Sequence, residues 1–162
     1  MQNKSLLLTA ALAASLLLGG CAGTPVFGTA QVATALTPDK ALAAPQDNIG
    51  KRVLWGGTIV DTRNLQDATQ IEVLTYPLNS SFRPQLDRPA LARVLIRQNG
   101  FLEPQTYAEG RKITVLGTLQ KIASGRIGEA DYQYPVVEAD KIKLWSENDN
   151  KTRFYFGFGL RL

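Results

Sequence analysis

The chain has 162 residues, with 18 Lys and Arg against 14 Asp and Glu, one cysteine and no histidine. The missing histidines remove the commonest general base and the usual zinc ligand sets, and a single cysteine has no disulfide partner. A formal charge of +4 is mild and is no polyanion-binding signature.

A short polar head, Met1 to Lys4, precedes a nearly unbroken apolar run from Leu6 to Leu18. This is the layout of a secretory signal. From Leu6 to Gly20 a helix would span about 22 Å, short of the roughly 30 Å of a hydrocarbon core. Leu18-Gly19-Gly20-Cys21 follows directly and resembles the lipobox of bacterial lipoproteins: a branched apolar residue, two small residues and the cysteine that receives diacylglycerol. Signal peptidase II would cleave after Gly20, where glycines leave room for the enzyme to reach the backbone. The competing readings are an ordinary secretory signal with an incidental cysteine, or a signal anchor. Lipidation of Cys21 also explains a leftover cysteine in an exported protein. With three acyl chains, at about 0.8 kcal/mol per buried CH₂, the anchor would be permanent. Ala22 follows Cys21 in place of the aspartate that retains enteric lipoproteins at the inner membrane, so the expected address is the outer membrane, with its periplasmic face as the default and display at the cell surface as the open alternative.

Loss of residues 1–20 removes only Lys4 among the charged residues, leaving 142 residues with 17 basic and 14 acidic groups, enough for one domain with a real core. Residues 21–49 are rich in Ala, Thr, Pro and Gly and read as the lipidated N-terminus and a tether. Within them Thr37-Pro38-Asp39-Lys40-Ala41-Leu42-Ala43-Ala44 offers an N-cap threonine, a proline at the first helical position and good helix formers, which predicts about two turns of helix before Pro45.

Beyond Gly50 the hydrophobic period becomes two. Val53, Trp55, Gly57 and Ile59 share one face; Ile71 and Val73 follow, then Val94 and Ile96, then Ile113, Val115, Gly117 and Leu119. A fifth run starts with Val137 and Ala139, slips phase at Asp140-Lys141, which suggests a bulge, and resumes at Ile142 and Leu144. Trp145 closes the unit. Turn signals fall at Arg63-Asn64, Pro77 to Ser80, Gln98 to Gly100 and Ala123 to Gly125. The class is mainly β, and residues 50–146 fit a small OB-like closed barrel of five to six strands, with Gly56-Gly57 and Gly117 as the places where a sheet could bend to close. A two-sheet sandwich has the same periodicity. Trp55 shares its face with Val53 and Ile59 and is expected in the core.

Arg52-Val53-Leu54-Trp55-Gly56-Gly57-Thr58-Ile59, then Gly100-Phe101-Leu102-Glu103-Pro104 with Tyr107, Gly110 and Arg111, then Gly128-Glu129, Tyr132 and Tyr134-Pro135-Val136-Val137 resemble the Slp family of starvation-inducible outer-membrane lipoproteins. The resemblance runs from the lipobox to about Trp145. Leu54 departs from the arginine expected there. The resemblance implies an outer-membrane lipoprotein associated with starvation or stationary phase, and it brings no catalytic residues.

Glu129 and Asp131 beside Tyr132 and Tyr134 could be cast as a glycosidase pair, but two acids in a loop are usually solvated. Gly125-Arg126-Ile127-Gly128 lacks the lysine and spacing of a phosphate loop and reads as a turn. Aromatic and basic residues on an OB barrel can bind single-stranded nucleic acid; an envelope address and near-balanced charge argue against that partner. No enzyme, cofactor or metal is expected. Tyr107, Tyr132 and Tyr134 are the candidate lining of a small-ligand or glycan site, peptidoglycan included. The tail, residues 147–162, places Phe154, Phe156, Phe158, Leu160 and Leu162 on one side at period two, and reads as an added strand or an adhesive surface rather than a membrane span. Two functions stay open: a non-enzymatic lipoprotein that binds an envelope partner or stabilises the surface under starvation or acid stress, and a glycan- or small-ligand-binding module.

Overall fold

The computed structural model describes Phe27 and residues 35–146. The signal segment, Cys21 and the aromatic tail lie outside the described residues. The elements are α1 (Pro38–Ala43), α2 (Pro45–Asn48), β1 (Arg52–Asn64), β2 (Ala68–Tyr76), β3 (Arg93–Asn99), β4 (Lys112–Ile127) and β5 (Ala130–Leu144).

The five strands close into a barrel in the order β1-β2-β3-β5-β4. β3 and β5 run parallel from Leu95↔Val136 to Arg97↔Glu138, and every other pairing is antiparallel. This Greek-key closure is that of an OB-type barrel, so the sandwich alternative is set aside. The period-two residues fill its interior: Val53, Trp55, Ile59, Ile71, Val73, Val94, Ile96, Ile113, Val115, Leu119, Val137 and Ala139 form one buried cluster. Each large aliphatic side chain there contributes about 1.5–3 kcal/mol by leaving water.

Closure depends on two glycines. A Cβ on Gly57 would lie 1.9 Å from the Leu74 carbonyl oxygen, and one on Gly117 would lie 2.3 Å from that of Glu138. β1 can bend across β2, and β4 across β5, only because nothing projects there. The phase slip at Asp140 is a bulge: Leu116 pairs with Lys141 and Gly117 with Ala139, leaving Asp140 unpaired.

Three local expectations change. Ala123-Ser124-Gly125 is not a turn but part of β4, which pairs with β5 as far as Ile127↔Ala130 in a long hairpin. Gly125 is strand because the Tyr134 ring lies where its side chain would be, 2.9 Å from an ideal Cβ. The turn is at Gly128-Glu129, where Gly128 takes a positive φ of 60°. Arg63-Asn64 likewise belongs to β1, and the connection to β2 is Leu65 to Asp67. Thr37 starts α1 without a side-chain cap, and Pro45 opens the second short helix instead of ending helical structure.

Residues 35–49 are built onto the barrel. Ala41 of α1 is fully buried in the main cluster, and the Trp55 Nε1–H donates to the Leu36 carbonyl at 2.7 Å, so this segment closes one end. At the other end Leu102 and Tyr107, from the β3–β4 connection, pack against the same cluster.

Candidate functional site

The structure divides the three candidate tyrosines. Tyr132 and Tyr134 project from one face of the β4–β5 hairpin and meet edge-on, with ring centroids 4.7 Å apart. The Arg93 backbone N–H donates to the Tyr132 hydroxyl at 2.9 Å, and Arg93 pairs with Glu72 at 2.6 Å, so the hairpin folds down on the outer face of β2 and β3. Tyr134 is buried, and its hydroxyl pKa is raised, first by desolvation and then by the Glu72 carboxylate. OB barrels commonly use the β2–β3 face and the flanking loops for ligands; here the hairpin's own tyrosines rest on it. Tyr107 lies apart, half-buried at the far end, its carbonyl accepting from the Thr62 hydroxyl at 2.8 Å beside a shallow depression with Pro104 and Asp61. Glu129 sits in the hairpin turn and Asp131 on β5, both exposed.

The better-formed concavity lies beside α1. It is an apolar cleft of about 200 Å³ whose walls include Leu36, Leu54, Trp55, Leu78, Phe82 and Leu91. The sequence alternation explains half of it: Leu54 and Leu116 alternate with the core residues and therefore point outward, yet both are buried. Their cover is Phe27, which packs edge-to-face on Phe82 at 5.8 Å with Leu78 alongside. Phe82 is held in an unusual conformation, φ 62°, a left-handed geometry costing about 1–2 kcal/mol for a residue with a Cβ. The turn around it offsets this cost. The Asn79 side-chain oxygen accepts the Ser81 and Arg83 N–H groups, both at 2.9 Å, and the Phe82 carbonyl accepts the Thr114 hydroxyl at 2.7 Å. The Thr114 oxygen in turn accepts the Trp145 Nε1–H at 2.9 Å. Trp145 therefore sits on the outer surface of β4, not in the core.

This second cluster was not legible beforehand. Phe27 stands in a stretch read as tether, Leu78 in the turn signal Pro77 to Ser80, and Phe82 just beyond that signal. The only signal was that outward-facing Leu54 and Leu116 left two large apolar side chains without a cover.

Among the described residues no group of three or more Cys, Asp or Glu is placed to hold a metal ion, and no helix is long and apolar enough to cross a membrane.

The family model of the outer membrane lipoprotein Slp family matches residues 18–159. The chain belongs to the Slp family. It is 33% identical over 135 residues to the uncharacterized lipoprotein YeaY of Escherichia coli (strain K12), covering 81% of this chain and 68% of that one. It is 31% identical over 97 residues to outer membrane protein Slp of the same organism, covering 60% of this chain and about half, 51%, of that relative. A solved structure, Schizosaccharomyces pombe Pot1pC bound to ssDNA, overlaps with a TM-score of 0.35 at 10% identity over 74% of this chain and 88% of that one, a likeness too loose to carry an argument. The Slp resemblance read from the Trp-Gly-Gly and Tyr-x-Tyr-Pro segments is thus confirmed, and both segments have structural reasons in this barrel. Gly57 is a closure point, and Tyr132 and Tyr134 clamp the hairpin. In this Slp chain Leu54, which stands where arginine was expected, matches the apolar underside of Phe27.

Proposed function

We propose that this Slp-family protein is cleaved after Gly20, acylated on Cys21 and held at the periplasmic face of the outer membrane, and that it works without catalysis by docking an envelope protein into the cleft beside α1. The observation that carries the reading is the cleft itself. Its walls are apolar, and the polar residues in its lining, Thr37, Thr75, Tyr76 and Asn79, carry only hydroxyl and amide side chains. Its volume of about 200 Å³ falls below the roughly 300–1,000 Å³ of small-ligand pockets, and suits one or two large side chains of a partner. A stabilising or adaptor role in the starved envelope is consistent with such a surface. The glycan alternative loses its natural platform, because stacking needs an open ring face and Tyr134 is buried against Tyr132.

The test is a photoreactive side chain at Tyr76 in living cells, with Lys121, exposed on β4, as the control position. A discrete envelope-protein adduct at Tyr76 that disappears when Leu91→Trp fills the cleft supports the reading. Adducts that are the same at both positions, or indifferent to Leu91→Trp, refute it. Anchor and address are read separately, from the mass of the N-terminal peptide in outer-membrane fractions of wild type and Cys21→Ser.

A further inference from the structure

Phe27 limits how far the barrel can stand from the proposed anchor. Only the six residues Cys21 to Val26, the first of them the proposed lipid carrier, precede this side chain buried on the barrel wall. Fully extended, those residues reach at most about 20 Å, less than the roughly 30 Å diameter of a small domain. The barrel cannot float at the end of a long tether. The wall that carries Phe27 is held toward the bilayer.

That wall has a specific chemistry. Outward positions along β4 are Leu116, Thr114 and Lys112, two residues or about 7 Å apart, so the site of Phe27 on Leu116 and the site of Trp145 on Thr114 are neighbours. Beside them on β5, Lys141 pairs with Leu116 and Lys143 with Thr114, and the Lys143 ammonium lies 5.6 Å from the centre of the Trp145 ring. The Arg83 guanidinium lies 5.3 Å from the same ring. The bulge at Asp140 sets this face: the extra residue shifts the alternation so that two lysines follow on one side, and Asp140 itself is engaged by Arg52 at 2.8 Å. Among the described residues Lys112, Lys141 and Lys143 make no ion pair. An indole beside lysine ammonium groups suits the headgroup layer, where the ring takes the boundary and the ammonium groups take phosphates.

We propose that the outer face of β4 and β5, marked by Trp145, Lys112, Lys141 and Lys143, is a docking surface for the anionic phospholipid headgroups of the membrane to which the chain is anchored. The orientation rests on the anchoring at Cys21 given above; the chemistry of the face does not. Phe27 acts as the pin that holds this face down, and the cleft beside α1 is left at its margin for a partner in the same plane.

Two measurements separate the two readings. In the first, the full acylated protein is reconstituted in phosphatidylethanolamine vesicles containing a minority of phosphatidylglycerol, and tryptophan emission is quenched with lipids brominated near the headgroup. Quenching that is lost in Trp145→Phe is expected, because Trp55 is buried in the barrel. In the second, the unacylated Cys21→Ser chain from residue 21 is partitioned onto the same vesicles and onto vesicles lacking phosphatidylglycerol. Binding should require the anionic lipid, weaken in high salt and fall about a hundredfold in the Lys112→Gln/Lys141→Gln/Lys143→Gln variant. If the N-terminal peptide proves unmodified while the second measurement holds, the anchor fails and the docking surface stands. If the peptide is acylated, Trp145 stays unquenched and the lysine variant partitions like wild type, the proposal is overturned. Quenching that appears only after removal of residues 147–162 would assign the face to the aromatic tail and also overturn it.

Discussion

Replacing Thr114 with valine removes one hydroxyl and strands two groups. Thr114 is fully buried, donates to the Phe82 carbonyl at 2.7 Å and accepts the Trp145 Nε1–H at 2.9 Å. A buried donor or acceptor left without a partner costs about 1–3 kcal/mol. Trp145 is half-exposed, so its N–H can turn to water and falls at the low end of that range. The Phe82 carbonyl belongs to a turn held at positive φ and pinned by the Asn79 side chain, so it falls at the higher end. The expected loss is therefore about 2–3 kcal/mol. Urea unfolding should report it as a lower midpoint at unchanged slope. Native-state emission should shift to the red as Trp145 loosens, and Thr114→Ser, which keeps the oxygen, should lose about 1 kcal/mol or less. A Thr114→Val midpoint indistinguishable from wild type would refute the idea that this hydroxyl joins the turn at Phe82 to Trp145.

Gly57→Ala places a methyl 1.9 Å from the Leu74 oxygen, a clash with backbone that cannot rotate away; a loss of more than about 3 kcal/mol is expected, read as failure to accumulate folded protein. Leu54→Arg sets a cation beneath Phe27 and should cost about 1–3 kcal/mol, with Phe27 becoming accessible to chymotrypsin. The Tyr134 hydroxyl titrates above the ordinary tyrosine value near 10, so the folded state holds its proton longer than the unfolded state. Its contribution is complete below about pH 10 and is lost as pH rises toward the folded value, at up to about 1.4 kcal/mol per pH unit. Tyr134→Phe should flatten this alkaline loss in urea titrations above pH 10, and an unchanged alkaline slope would show that Tyr134 is not desolvated in solution.

Period-two alternation placed the five strands and the core face of each, because a strand buried on one side must repeat its apolar residues every second position. Val53, Trp55, Ile71, Ile96 and Val115 all lie in the interior on that rule alone. Even the bulge was legible, since one extra residue in a strand shifts its apolar phase by one, and Gly57 and Gly117 announced where the sheet had to bend. Family membership was equally local, carried by short runs of residues. What the alternation could not report is whatever depends on residues meeting from distant parts of the chain. That Tyr132 and Tyr134 rest against Arg93 and Glu72 could not be read from their own strand. Ala123 to Gly125 looked like a turn because the ring that fills the space above Gly125 comes from Tyr134, across the hairpin. Phe27 looked like tether because its partners, Leu54, Phe82 and Leu116, are 27 to 89 positions away. Local pattern determined which side of each strand faces the core; only tertiary packing decided what covers the other side, because burial there depends on the neighbour that arrives and not on the strand itself.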